Sequence, residues 1–108
     1  MKIEKRILKN LIPAEYNLRQ ATEKQQKQLM QSLKRFGPVQ PIIVNENQNR
    51  NNIIVSGHFR VKELMKLGYE KIDCVIVDLP LVKDEKELNI ALNTSPRSWD
   101  FDILANQF

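Results

Sequence analysis

The sequence predicts a single α+β domain, and three observations carry that reading. Its length of 108 residues is close to the commonest size of one domain and short for two. Short β-branched runs alternate with stretches of helical period, without strict strand-helix-strand regularity. Hydrophobic residues make up 42% of the chain, enough for one core without a disulfide or a structural metal.

From Ile3 to Leu11 apolar residues are interrupted by charges, which suits an edge strand leading into a turn at Pro13. Thr22 and Gln25 have the capping-box spacing, and Leu29, Leu33 and Phe36 follow at helical intervals. A helix from about Glu23 to Phe36 is therefore expected, with that stripe in the core. Gly37-Pro38 ends it, since glycine accepts a positive φ and proline cannot continue a helix. Pro41 to Val44 and Ile53 to Val55 read as two neighbouring strands joined by a loose hairpin, whose loop from Asn45 to Asn52 is expected to be exposed and mobile. From Gly57 the period changes, and a second helix is expected to end at Gly68, with Val61, Leu64 and Met65 inward. Ile72 to Val77 reads as a buried strand. Asp84 to Glu87 is expected to cap a helix carrying Leu88, Ala91 and Leu92, and Trp99 to Phe108 to form a last short helix.

Composition narrows the function classes. Cys74 is the sole cysteine and sits in an apolar run, which excludes a disulfide framework and a cysteine-rich metal site. The amino terminus lacks a signal-peptide pattern, and no run approaches membrane-spanning length, so a cytoplasmic protein is expected. The net charge of +4 is concentrated in the first half, through residues such as Lys24, Lys27, Lys34 and Arg35, and suits a polyanionic partner.

The most informative segment is Ile53 to Arg60, an apolar strand running into Ser56-Gly57-His58-Phe59-Arg60 at the start of a helix. Such a junction aims backbone N–H groups and the positive helix end at one spot. Gly57 would let an anion approach the backbone, and Arg60 could add a bidentate contact. On these residues alone, the bland reading competes: Ser56 as an N-cap, Gly57 as a tight turn, Arg60 as a solvated residue. His58, the lone histidine, suits a general base or proton carrier, and equally a polar residue orienting the turn. Glu63 could partner it, or could face solvent beside Lys62 or Lys66.

Three boxes extend the motif. Pro13 to Arg19, then Leu33 to Pro41 as Leu-Lys-Arg-Phe-Gly-Pro-Val-Gln-Pro, then Ile-Val-Ser-Gly-His-Phe-Arg from Ile54, resemble in order and spacing the ParB amino-terminal domain of the ParB/sulfiredoxin superfamily. The similarity continues through Leu67 to Tyr69, Cys74 to Asp78 and Ala91 to Asn93. Trp99 to Ala105 is similar to ParB-like domains of phages and mobile elements or those associated with DNA methyltransferases.

The resemblance implies a small mixed sheet with flanking helices and a pocket for a nucleotide such as CTP, with a divalent cation such as Mg2+. By motif, Arg19, Gly37, Gln40, Ser56, Gly57, His58, Arg60 and Asn93 would be its phosphate- and nucleotide-binding residues; Asn93 could instead cap a helix end. Departures matter too. His58 stands where the partition proteins carry Glu and Phe59 where they carry Arg, which leaves hydrolysis open. Leu18 replaces a usual Pro before Arg19. Sulfiredoxin needs a cysteine at the turn, where this chain has His58. The helix-turn-helix and dimerisation domains of partition proteins have no counterpart here, so the domain would be either a piece of a longer protein or a minimal relative. Three readings stand: a nucleotide-binding module acting with DNA-associated machinery, a nuclease or nucleotide hydrolase/phosphotransferase using His58, and a non-catalytic DNA-binding or docking domain.

Overall fold

A computed structural model describes residues 2–17 and 20–94, and only the backbone of Asn93 and Thr94. Among the described residues a four-stranded mixed sheet carries three α-helices. Strand β1 (Lys2–Ile7) lies at the edge, followed by β4 (Lys71–Val77), β2 (Ile42–Asn45) and β3 (Ile54–Ser56). β1 is antiparallel to β4, β4 parallel to β2, and β2 antiparallel to β3. The α+β class and the mixed sheet are thus as the sequence led us to expect. β4 is internal but not buried on both faces: Cys74 and Ile76 point into the core, while Asp73 is exposed and pairs with Lys5.

Helix α1 runs Glu23–Phe36 with the full reciprocal capping box between Thr22 and Gln25. It stops at Gly37, whose φ of 76° and ψ of −174° lie in a region essentially confined to glycine. Helix α2 spans His58–Lys66 and ends before Gly68, which also has a positive φ. Helix α3 runs Val82–Thr94, starting two residues before the acidic group expected to cap it. The predicted helix from Trp99 lies outside the described residues. Among the described residues no helix is long and apolar enough to cross a membrane.

The core gathers Leu33, Val61 and Leu64 from the helices, Leu8 and Leu11 from the turn after β1, and Ile42, Val44, Ile54, Cys74 and Ile76 from the sheet. Two expected core residues are outside it. Phe36 is 59% exposed, with the Arg35 guanidinium 4.8 Å from its ring centre, because a periodic stripe defines a helix face and not how far along the helix its cover reaches. Met65 is 45% exposed, since it sits one helical step, about 100°, from Leu64 and falls on the rim of the face.

α3 reverses the expectation more fully. Ala91 and Leu92 are exposed, while Glu85 is buried and Val82, Asp84, Leu88 and Asn89 are half-buried. Its inward stripe is largely polar. The Asn-rich loop is also anchored rather than free: Asn45 and Ile53, Asn52 and Asn45, and Arg50 and Asn47 are joined through backbone bonds, and Asn52 takes the left-handed conformation that asparagine tolerates.

Candidate functional site

The β3-to-α2 junction owes its shape to a bulge. Ile43 pairs with Ser56 and Val44 with Ile54, so Val55 is the extra residue, fully buried and without a partner across the pair. The Asn89 side chain donates to the Val55 carbonyl at 2.7 Å and satisfies it from α3. The chain then turns at Gly57, which is the N-cap of α2 with φ 105° and ψ 20°. Ser56, read as a possible N-cap, is therefore one residue too early. A Cβ on Gly57 would lie 2.7 Å from Ile42 Cδ1 and 3.1 Å from Arg60 Nη2, so conformation and space both demand glycine.

Arg60 folds back over this turn. Its Nη1 donates to Gln40 Oε1 at 3.2 Å and its Nη2 to the Pro41 carbonyl at 2.9 Å. The second and third sequence boxes thus meet in one contact. Both acceptors are neutral, and the Nε–H is buried with no acceptor. Among the described residues no carboxylate pairs with Arg60, and burial pulls its pKa below the ordinary arginine value. Gly37, also expected at the site, caps α1 instead and lines neither of the cavities that Arg60 borders.

His58 ties the third box to the first. Its Nε2 accepts the Ala14 amide proton at 3.1 Å, which places the ring proton on Nδ1. Proton transfer at Nε2 requires that bond to break. Glu63 is buried rather than solvent-facing, while its Nζ contact from Lys66 at 3.0 Å is the pairing its spacing suggested.

Asn17, Asn89 and the turn from Ser56 to Arg60 line a cavity of about 130 Å3. A larger one of about 510 Å3, between the start of α1 and α2, shares Phe59 and Arg60 and adds Gln25, Gln26 and Lys62. Gln40, Ser56, Gly57, His58 and Arg60 are therefore brought together. Arg19 and the Asn93 side chain lie outside the described residues. Asn17, Phe59 and Asn89 are lining residues that sequence reasoning passed over; Asn17 and Phe59 stood inside quoted boxes, whereas Asn89 had no signal. Among the described residues no group of three His, Cys, Asp or Glu side chains is placed to hold a metal ion. Cys74 is fully buried in β4, and burial pushes its thiol up to about 11.

A second polar cluster lies behind the first box. Glu85 is fully buried, and its carboxylate accepts from Tyr16 Oη at 3.0 Å, Arg50 Nη2 at 2.9 Å, Arg50 Nε at 3.0 Å and Asn45 Nδ2. Burial pushes its pKa up, but the bonds from Arg50, Asn45 and Tyr16 outweigh it and leave the group below the ordinary value. Arg50 also holds Glu15 with two bonds, at 2.8 and 3.0 Å, and these draw the Glu15 carboxyl down to about 2.

The ParB N-terminal domain family matches residues 2–95. No curated protein matches in sequence. Among solved structures, the C-terminally truncated chromosome-partitioning protein ParB from Caulobacter crescentus, complexed with CTP-γ-S, superposes with a TM-score of 0.76 at 18% identity. That match covers 96% of this chain and 63% of the ParB chain. Sulfiredoxin from Arabidopsis thaliana matches with a TM-score of 0.63 at 24% identity, over 83% of this chain and 98% of its own. A pNOB8-like ParB N-domain gives 0.74 at 18% identity, covering 93% of this chain and 37% of that one. This chain thus spans between 37% and 63% of the ParB structures it resembles here. The structural likenesses show a common fold, and the family match across nearly the whole chain shows that it belongs to the ParB N-terminal domain family.

Proposed function

We propose that the cavity at the β3-α2 turn binds the phosphates of a nucleotide, and that the domain is a nucleotide-responsive module of DNA-associated machinery. One observation carries the reading: Arg60 is a largely desolvated cation held only by neutral oxygens, with a buried Nε–H left over. Burying such a charge without a counter-charge is costly, and a phosphate oxygen beside it would supply both the charge and the missing acceptor. Gly57 keeps the backbone open to that approach, and Asn17 and Ser56 add neutral polar groups. The adjoining cavity along Phe59 has room for the rest of a nucleotide.

The ParB relative solved with CTP-γ-S supports a nucleotide, and another ParB structure, complexed to the centromeric parS site, supports a DNA context. Arg19 and Asn93 belong to the proposed site by motif. Mg2+ would arrive on the phosphates, since the turn cavity offers amides, a hydroxyl and an imidazole and the adjoining one a single carboxylate, Glu63, and magnesium keeps much of its coordination as phosphate and water. Association with phage, mobile-element or DNA-methyltransferase systems is supported by the Trp99 to Ala105 motif. The excess of basic residues and the lone buried cysteine suit work in the cytoplasm.

Calorimetric titration with CTP, ATP, ADP and GTP, with and without magnesium, tests the reading beside Arg60→Ala. Binding by the parent and loss in the variant is expected. Equal binding by both would remove Arg60 from the site. Hydrolysis or DNA cleavage that vanishes in His58→Ala would bring the catalytic reading forward.

A further inference from the structure

The geometry points to Glu85 as a positioning residue for the anion site, acting through Tyr16 and Arg50 on the Pro13 to Asn17 segment. The inference rests on the phosphate-binding reading and adds to it the residues that set the site's affinity. The segment is anchored at three successive residues. Ala14 is held by His58 from the turn itself. Glu15 is held bidentately by Arg50, and Tyr16 donates to Glu85. Asn17 comes next and lines the cavity, with its amide closing a turn onto the Ala14 carbonyl at 3.0 Å.

Glu85 has one bond from the segment, two from the Asn-rich loop through Arg50, and one from the end of β2 through Asn45. All four acceptor positions of the carboxylate are filled, so its geometry is over-determined. A rigid, satisfied network of this kind fixes whatever is attached to it, and here the free end of the attachment is the wall of the cavity. α3 reaches the same cavity through Asn89, one helical turn from Glu85, so one helix holds both the Val55 bulge and, through Tyr16, the first-box segment.

The test uses the whole chain and two readouts. Mg2+ with CTP and with ATP is titrated by calorimetry, and the imidazole nitrogens of His58 are followed by NMR, since Nε2 reports the Ala14 contact without any ligand. Tyr16→Phe removes a single hydrogen bond and keeps the ring. It is expected to weaken nucleotide binding about fivefold, part of the roughly tenfold or more that one bond to a charged acceptor is worth, and to move the Nε2 resonance. Glu85→Gln should do more of both. Ile72→Val, at the end of β4 that pairs with β1 and not with β2, serves as the control for lost stability and should leave both readouts at parent values.

If Tyr16→Phe lowers the melting temperature but leaves affinity and the Nε2 signal unchanged, the positioning role is wrong. Should the parent bind neither nucleotide, the phosphate-binding reading fails on its own, and the Nε2 signal alone decides the network: movement in Tyr16→Phe upholds the coupling to the turn, and an unmoved signal overturns it.

Discussion

Arg50 and Arg60 stand ten positions apart and are both withdrawn from water, yet the protein treats them in opposite ways. Arg50 receives two carboxylates, Glu15 and Glu85, and its pKa is raised by those bonds. Arg60 receives an amide oxygen and a backbone carbonyl, and its pKa is lowered by burial. A buried cation with its full set of counter-charges is a structural clamp; one held by neutral dipoles is prepared for an anion from outside. The difference teaches that burial and charge do not by themselves mark a binding residue. What marks it is the charge balance left unfilled.

Paired substitutions break or sharpen that contrast. Arg50→Ala leaves Glu85 buried and uncompensated, and should cost about 3–5 kcal/mol of stability by urea unfolding. Arg60→Ala should change stability by less than about 1 kcal/mol, because two lost hydrogen bonds are offset by relief of an unpaired charge, while nucleotide binding disappears. Equal stability losses in the two variants would erase the distinction.

Next comes Gly57→Ala. The left-handed conformation and the contact with Ile42 Cδ1 together should cost about 2–4 kcal/mol, and the displaced Arg60 guanidinium should carry nucleotide affinity down with it. Wild-type affinity in a variant that still folds would show that the close backbone approach at residue 57 is not needed.

The two clusters should also separate by pH. Glu85 and Glu15 have folded pKa values below their ordinary 4.5, so the stability they contribute is present above that value and is lost as pH falls through the lowered ones. Unfolding midpoints should therefore drop between about pH 5 and about pH 2, and the drop should be shallower in Glu85→Gln. Arg60 stays charged across that range, so its variant should keep the parent's profile. Removing the cap by Thr22→Ala, a residue hydrogen-bonded to neither arginine, should cost only about 1 kcal/mol by the same assay.

Much of the fold was legible because its signals are local. The capping box at Thr22 and the stop at Gly37 delimit α1 to the residue, and the Ile54 to Arg60 run marks the strand, turn and helix that build the site. The Arg60 to Gln40 contact was foreshadowed only as two boxes of one resemblance. Glu85 was read as part of a helix cap, because nothing local tells a buried carboxylate from a solvated one. Its partner Arg50 lies 35 residues away, inside a loop whose asparagines suggested freedom. The inward face of α3 escaped for the same reason: hydrophobic periodicity finds apolar stripes, and this stripe is polar.

Asn45 has a consequence for how the protein ages. Its amide nitrogen faces the Leu79 carbonyl and Glu85, and its oxygen receives the amides of Leu79 and Asn47, so the side chain extends the β2-β4 pairing as a backbone unit would. Deamidation would swap that nitrogen for a charged oxygen and set two carboxylates against each other. The exposed Asn49 and Asn51 have no such stake in the fold. Stored protein examined by mass spectrometry should therefore accumulate deamidation at those two first, and molecules altered at Asn45 should appear only in the fraction that has already lost its structure.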